Sequence, residues 1–266
     1  MQRPGPFNVE TILNQFVTEI GGELVSTLIT DTKGQPNADY AFKKKNVIAE
    51  LKCFQKDLFN GQNDQERLNA LVEKWTERGL YTDQTLNMLF NGELPVEFKA
   101  DLIQDARKSI DNVIRKANRQ IRETKKILKM KDAMGLVLLC NDGNYFLRNE
   151  HYFGLICNLM ANKYMQSDID GILYFTINQV SRSPEDEFDH NVWLPAYRSD
   201  DSSLGDFVNE MGVAFMDEFY PKLTGSPLSH KFMTDNPEEG IKKISSLTYL
   251  PKAIAYKKEK QIDFFD

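Results

Sequence analysis

Pro36-Asn37-Ala38-Asp39-Tyr40-Ala41-Phe42-Lys43-Lys44-Lys45-Asn46-Val47-Ile48-Ala49-Glu50-Leu51-Lys52-Cys53 is the stretch on which the fold turns. Ala38 to Phe42 alternates, and Val47-Ile48-Ala49 is an apolar run of strand type. Lys43-Lys44-Lys45-Asn46 stands between them as a turn, so the stretch reads as a β-hairpin. Strand side chains alternate with period two, which puts Glu50 and Lys52 on one face. With the turn at Lys43 to Asn46, Asp39 falls at the same end of the hairpin as Glu50. Two carboxylates and an ammonium then meet at one edge of a small sheet.

That set is the outline of a site for a hard divalent cation. Mg²⁺ prefers carboxylate oxygens, and a protein usually supplies one or two of them, leaving positions for water and phosphate. Asp39 and Glu50 would hold the ion, the Leu51 carbonyl would add a ligand, and Lys52 would face the attacking water or the scissile phosphate. As ordinary exposed strand positions the same residues would carry no chemistry, because E-x-K recurs by chance in charged proteins.

The arrangement resembles the PD-(D/E)XK nuclease superfamily, with Asp39 matching the first acid and Glu50-Leu51-Lys52 the E-x-K; Asn37-Ala38 stands between the proline and the acid. The resemblance covers about residues 9–55. It implies an α/β fold, a restriction-endonuclease-like core whose central mixed sheet is flanked by helices. It also implies Mg²⁺ or Mn²⁺ as cofactor and hydrolysis of phosphodiester bonds, of DNA in preference to RNA. Members of the superfamily serve restriction, repair, recombination and defence against phage, and a phage-defence or restriction-type effector is the expectation here. Many members add an acid from the first helix. Glu10 at the start of that helix suits the role better than Glu19 at its end, and it suits equally a solvated acid favoured by the helix dipole.

Outward from the hairpin, Val9, Ile12, Leu13, Phe16, Val17 and Ile20 recur at helical spacing behind Asn8 as N-cap, and Gly21-Gly22 ends the helix. Leu24 to Ile29 reads as a strand over about 24–30. Helix, strand, hairpin is the order in which a restriction-endonuclease-like core begins. After the hairpin, Asp64 starts a helix carrying Leu68, Leu71, Val72 and Trp75, and Thr82 caps a shorter segment. Pro95 opens a long helix running to about Met130. Residues 55–131 therefore form a helical insertion within a single domain. Apolar runs at 136–140 and 171–177 resume the sheet, helices follow over 152–164 and 204–219, and Val192-Trp193-Leu194 begins an edge strand. Beyond Pro221 the chain reads as loop, with a strand returning somewhere in 247–256.

The long helix carries an unusual charge. Between Arg107 and Lys131 there are ten Lys or Arg against Asp111 and Glu123, in a chain whose net charge is −6. Such a face, with Arg115, Arg119, Arg122 and Lys126 along it, either tracks a phosphate backbone or is an ordinary solvated helix surface.

Other chemistries lack their residues. The three cysteines and three histidines are scattered, without C-x-x-C or H-E-x-x-H spacing. No Gly-rich phosphate loop and no G-x-S-x-G elbow occurs. No apolar run suggests a signal peptide or a membrane span, so the expectation is a cytoplasmic protein with no membrane partner. The rival to the nuclease is a nucleic-acid-binding or complex-assembly protein with a vestigial site, alone, as a homo-oligomer or beside a partner subunit.

Overall fold

The structure is a computed structural model. It describes residues 7–29, 36–54, 62–80, 82, 84–85, 95–144, 147–179, 181–182, 189–198, 202–224 and 232–249. The chain divides into two compact units, one made of residues 1–55 and 114–266, the other of 56–113.

The larger unit is α/β. Helix α1 (Val9–Glu19) starts where expected, its Asn8 side chain accepting a hydrogen bond from the Thr11 amide at 2.9 Å. Strand β1 (Glu23–Leu24) is far shorter than the apolar run suggests, because the chain turns into the short helix α2 (Val25–Leu28). The reason is local. The Thr27 hydroxyl donates to the Leu24 carbonyl at 2.7 Å, and side-chain-to-backbone bonds of this kind compete with a ladder. Only Val25 of this helix is buried.

The hairpin forms as predicted, with β2 (Tyr40–Phe42) antiparallel to β3 (Val47–Phe54). A single 3₁₀ turn, Lys43–Lys45, joins them, closed by Asn46 in the left-handed region at φ 53°. Asparagine tolerates that conformation better than most residues.

In the smaller unit α3 (Gln62–Glu77) ends at Gly79, whose φ of +66° suits glycine. Helix α4 (Val96–Ile127) begins in this unit, where Trp75 stacks on Phe98 at 3.8 Å and gives its indole N–H to Asp101 at 2.8 Å. Thr82 and Thr85 exchange capping hydrogen bonds. The remainder of the expected short segment, 86–90, lies outside the described residues, as do 55–61 and the tail after 249.

From Ile114 onward α4 belongs to the larger unit. There follow β4 (Met134–Asn141), α5 (Asn149–Lys163), β5 (Gly171–Thr176), β6 (Ser181–Arg182), β7 (Asp189–His190), β8 (Trp193–Tyr197), α6 (Ser202–Val213), a π-helical stretch Ala214–Phe219, α7 (Tyr220–Thr224), α8 (Pro237–Ser246) and β9 (Thr248–Tyr249). Six strands form a mixed sheet in the order β1-β2-β3-β4-β5-β8, and β7-β6-β9 form a small second sheet. Strands β3, β4 and β5 run parallel, and β8 closes the edge antiparallel. β4 and β5 are buried along almost their whole length, which explains their unbroken apolar runs.

Two expectations for the C-terminal third need correcting. The helix does not stop before Pro221 but continues to Thr224. Proline needs no hydrogen-bond acceptor for its nitrogen, and the wider π turn immediately before it relieves the clash with the preceding carbonyls. Residues 237–246, expected as loop, are a helix with Asn236 as N-cap, proline in its first turn and Glu238 and Glu239 behind it.

One large core cluster lies on one face of the sheet. Val47, Ala49 and Leu51 of β3 and Leu136, Leu138 and Cys140 of β4 pack with Ile12, Leu13, Phe16 and Val17 of α1. Phe207, Val208 and Met211 of α6 and Phe215 of the π stretch complete it. By alternation, Ile48, Glu50 and Lys52 point to the other face.

Candidate active site

The site is built by register. β2 and β3 pair with Tyr40 opposite Ala49 and Ala41 opposite Ile48, so the next position out sets Asp39 opposite Glu50. Residues so placed have side chains on the same face, within reach of each other. The Leu51 amide donates to Asp39 Oδ2 at 2.8 Å, which orients that carboxylate. The Lys52 ammonium donates to Glu50 Oε1 and forms an ion pair with it. The structure therefore brings together Asp39, Glu50 and Lys52. At Leu51 the group it shows engaged with an acid is the amide.

The electrostatics are unusual for a glutamate. Glu50 is 0 % exposed and its Oε2 accepts no hydrogen bond. Burial first, and the charge of Asp39 second, push its pKa up to about 8, against the opposing pull of Lys52. Two facing carboxyl groups, one oxygen without a hydrogen-bond partner and one ammonium alongside, form a site arranged for added positive charge. An orphaned buried oxygen beside a like charge fits a divalent cation, which would satisfy the oxygen and remove the repulsion.

Glu10 is exposed on the first turn of α1, and its charge acts on the Tyr40 phenol, as do those of Asp39 and Glu50. Burial first, then Asp39 and Glu10, hold that phenol far above its ordinary range, and its hydroxyl donates to Asn14 at 3.0 Å. Among the described residues no group of three or more His, Cys, Asp or Glu side chains is disposed to hold a metal.

Helix α4 positions the segment leading into Asp39. Thr124, fully buried, accepts the Ala38 amide at 2.7 Å, and Gln120 donates to the Asn37 carbonyl at 2.9 Å. Sequence reasoning misses these two holding residues. A signal for them exists, because Thr124 is a polar residue within an apolar helical stripe and Gln120 lies one turn before it.

Successive helical residues turn by about 100°, which places Arg115, Arg119, Arg122 and Lys126 on one stripe of α4. All four are exposed, while Ile114, Ala117 and Ile121 are buried on the other side. Lys126 and Arg122 flank Glu123 at 3.0 and 3.5 Å. Lys125, counted with this basic surface from sequence, is instead buried. Its ammonium donates to the Asp168 carbonyl at 3.1 Å and lies 3.7 Å from Asp170, which also pairs with Arg198.

An open groove of about 550 Å³ along α6, lined by Asp206, Asn209, Glu210, Val213, Ala214 and Glu218, is acidic and so ill suited to phosphate. No family model, no curated protein and no solved structure matches the chain. Among the described residues no helix is long and apolar enough to cross a membrane.

Proposed function

We propose that the protein is a metal-dependent nuclease of PD-(D/E)XK type that hydrolyses phosphodiester bonds, with DNA as its substrate. The observation that carries the reading is the buried Glu50 carboxyl facing Asp39, with one oxygen unsatisfied and Lys52 on the other. Support for a restriction-endonuclease-like core comes from a helix and a short strand ahead of the hairpin, with the short helix α2 between strand and hairpin, and from the extension of the hairpin by parallel strands.

Asp39 and Glu50 would hold Mg²⁺ or Mn²⁺, which when bound supplies a water of lowered pKa and polarises a phosphoryl oxygen. The chain's own residues do the rest. The Leu51 amide keeps Asp39 aimed at Glu50. Burial keeps Glu50 out of bulk water, so its carboxylate, once a cation keeps it ionised, would be little screened. Lys52, whose side chain is 24 % exposed, is the cation that can leave its carboxylate for an incoming phosphate and stabilise the charge that develops in the transition state. Arg115, Arg119, Arg122 and Lys126 offer an outward row of cations to a phosphate backbone.

The test is cleavage of DNA and RNA with Mg²⁺, Mn²⁺ or Ca²⁺. Mg²⁺ or Mn²⁺ should support cleavage by the wild-type chain. Ca²⁺, with its longer and looser coordination, should bind without supporting it. Full metal-dependent cleavage by Asp39→Ala or Glu50→Ala would place the chemistry at other residues.

A further inference from the structure

Strand β3, which carries Glu50 and Lys52, also carries a thiol on its opposite face, level with a second thiol on β4. In the parallel pair of β3 and β4, Cys53 stands directly beside Cys140. Adjacent strands lie about 4.8 Å apart, and the Cα separations that disulfides span begin at about 4.4 Å, so no strand has to move far for the sulfurs to join. Each side chain leaves its strand on the same face, so the two sulfurs face the same core. Their exposure differs. Cys140 is 0 % exposed, whereas Cys53 is partly open to solvent at the end of β3. Among the described residues all three cysteines are free, and Cys157 lies on α5.

We propose that Cys53 and Cys140 are a reversible redox pair, in which Cys53 meets the oxidant and Cys140 resolves it into a cross-strand disulfide. With hydrogen peroxide as oxidant, the Cys53 sulfur attacks one peroxide oxygen, the O–O bond breaks, and Cys53 sulfenic acid and one water form. The Cys140 sulfur then displaces the sulfenic oxygen, which leaves as a second water, and the S–S bond closes. Both sulfurs are oxidised, and the peroxide is the species reduced. Burial shields Cys140 from direct attack by the oxidant, which sets the order of events. A bridge between neighbouring strands holds a geometry away from the disulfide optimum, so thiol reductants open it readily. Closing it would tie the strand end that carries Lys52 covalently to β4.

The experiment uses the full chain, treated with a few equivalents of hydrogen peroxide, alkylated under denaturing conditions and mapped without reduction. The expected result is a peptide pair joined through Cys53 and Cys140, two hydrogens lighter than the reduced pair, with Cys157 alkylated. Dithiothreitol should restore all three alkylation sites. Cys157→Ser should leave the bridge unchanged, and Cys140→Ala should leave Cys53 as sulfenic acid, captured by dimedone. The inference is overturned if, in the wild-type chain, Cys53 is oxidised while Cys140 remains alkylatable, or if Cys53 pairs with Cys157. The wild-type map needs no variant to fold, and it is independent of whether the chain cleaves nucleic acid.

Discussion

At the scale of single residues, Glu50 makes the sharpest predictions. An unfolded glutamate loses its proton near 4.5, whereas folded Glu50 keeps it up to about 8. Between those values the folded chain holds the extra proton, so this residue makes stability fall as pH rises. Glu50→Gln copies the protonated form. The melting temperature of Glu50→Gln should exceed that of wild type by a margin that widens from pH 5 to pH 8. A margin constant across that range would show that burial does not hold the proton. Asp39→Ala removes the like charge and should lower the Glu50 pKa, because only desolvation then remains to raise it. Divalent metal should raise the melting temperature of wild type and leave that of Asp39→Ala unmoved. Lys52→Ala should abolish cleavage while folding persists, since its ammonium is partly solvated and its nearest partner, a protonatable carboxyl, can neutralise itself.

At the scale of elements, α4 does two separate things. Its buried side holds the segment before Asp39 through Thr124 and Gln120. Its outward stripe bears the arginines. Replacing Arg115, Arg119 and Arg122 by Ala should weaken DNA binding and flatten its salt dependence, by about one unit of slope for each phosphate no longer neutralised. An unchanged slope returns the stripe to ordinary solvated surface. The start of β4 sets a tighter constraint. A Cβ at Gly135 would stand 2.0 Å from the Asp168 carbonyl oxygen and 2.9 Å from Ile121 Cγ2, in the packing beneath α4. Backbone cannot yield as a flexible side chain does, so Gly135→Ala should cost about 1–3 kcal/mol or more in urea denaturation.

At the scale of the whole molecule, each of the two compact units buries aromatic side chains of its own. In the smaller one Trp75 is 4 % exposed, stacked on Phe98 and hydrogen-bonded to Asp101, with Lys74 and Arg78 on the same carboxylate. Trp75→Ala should cost this unit about 3–5 kcal/mol, seen as faster amide exchange within residues 62–113. In the larger unit, β4 is paired along both edges and buried on both faces, so its amides should be the last to exchange. Fast exchange in β4 would mean that the parallel strands are not the stable centre of the sheet.

What the sequence determined by itself is what lies within one turn or one period. The hairpin, the face shared by Glu50 and Lys52, the Asn8 cap and the Asp39–Glu50 end all follow from residues a few positions apart, and the turn at Lys43 to Asn46 sets their register. Local competition overrode the apolar pattern at Val25, where a threonine hydroxyl displaced the ladder, and the proline rule at Pro221, where a π turn absorbed the ring. Tertiary structure alone decided the rest. Burial of Glu50, with the pKa that follows, is set by packing and not by the tripeptide around it. The inward turn of Lys125 depends on Asp168 and Asp170 arriving from a loop more than forty residues away. Cys53 meets Cys140 because β3 and β4 are paired across the whole of α3 and α4. Each of these is a long-range pairing, closed by hydrophobic burial of the parallel strands, and no periodicity in the chain encodes which distant residue will stand opposite.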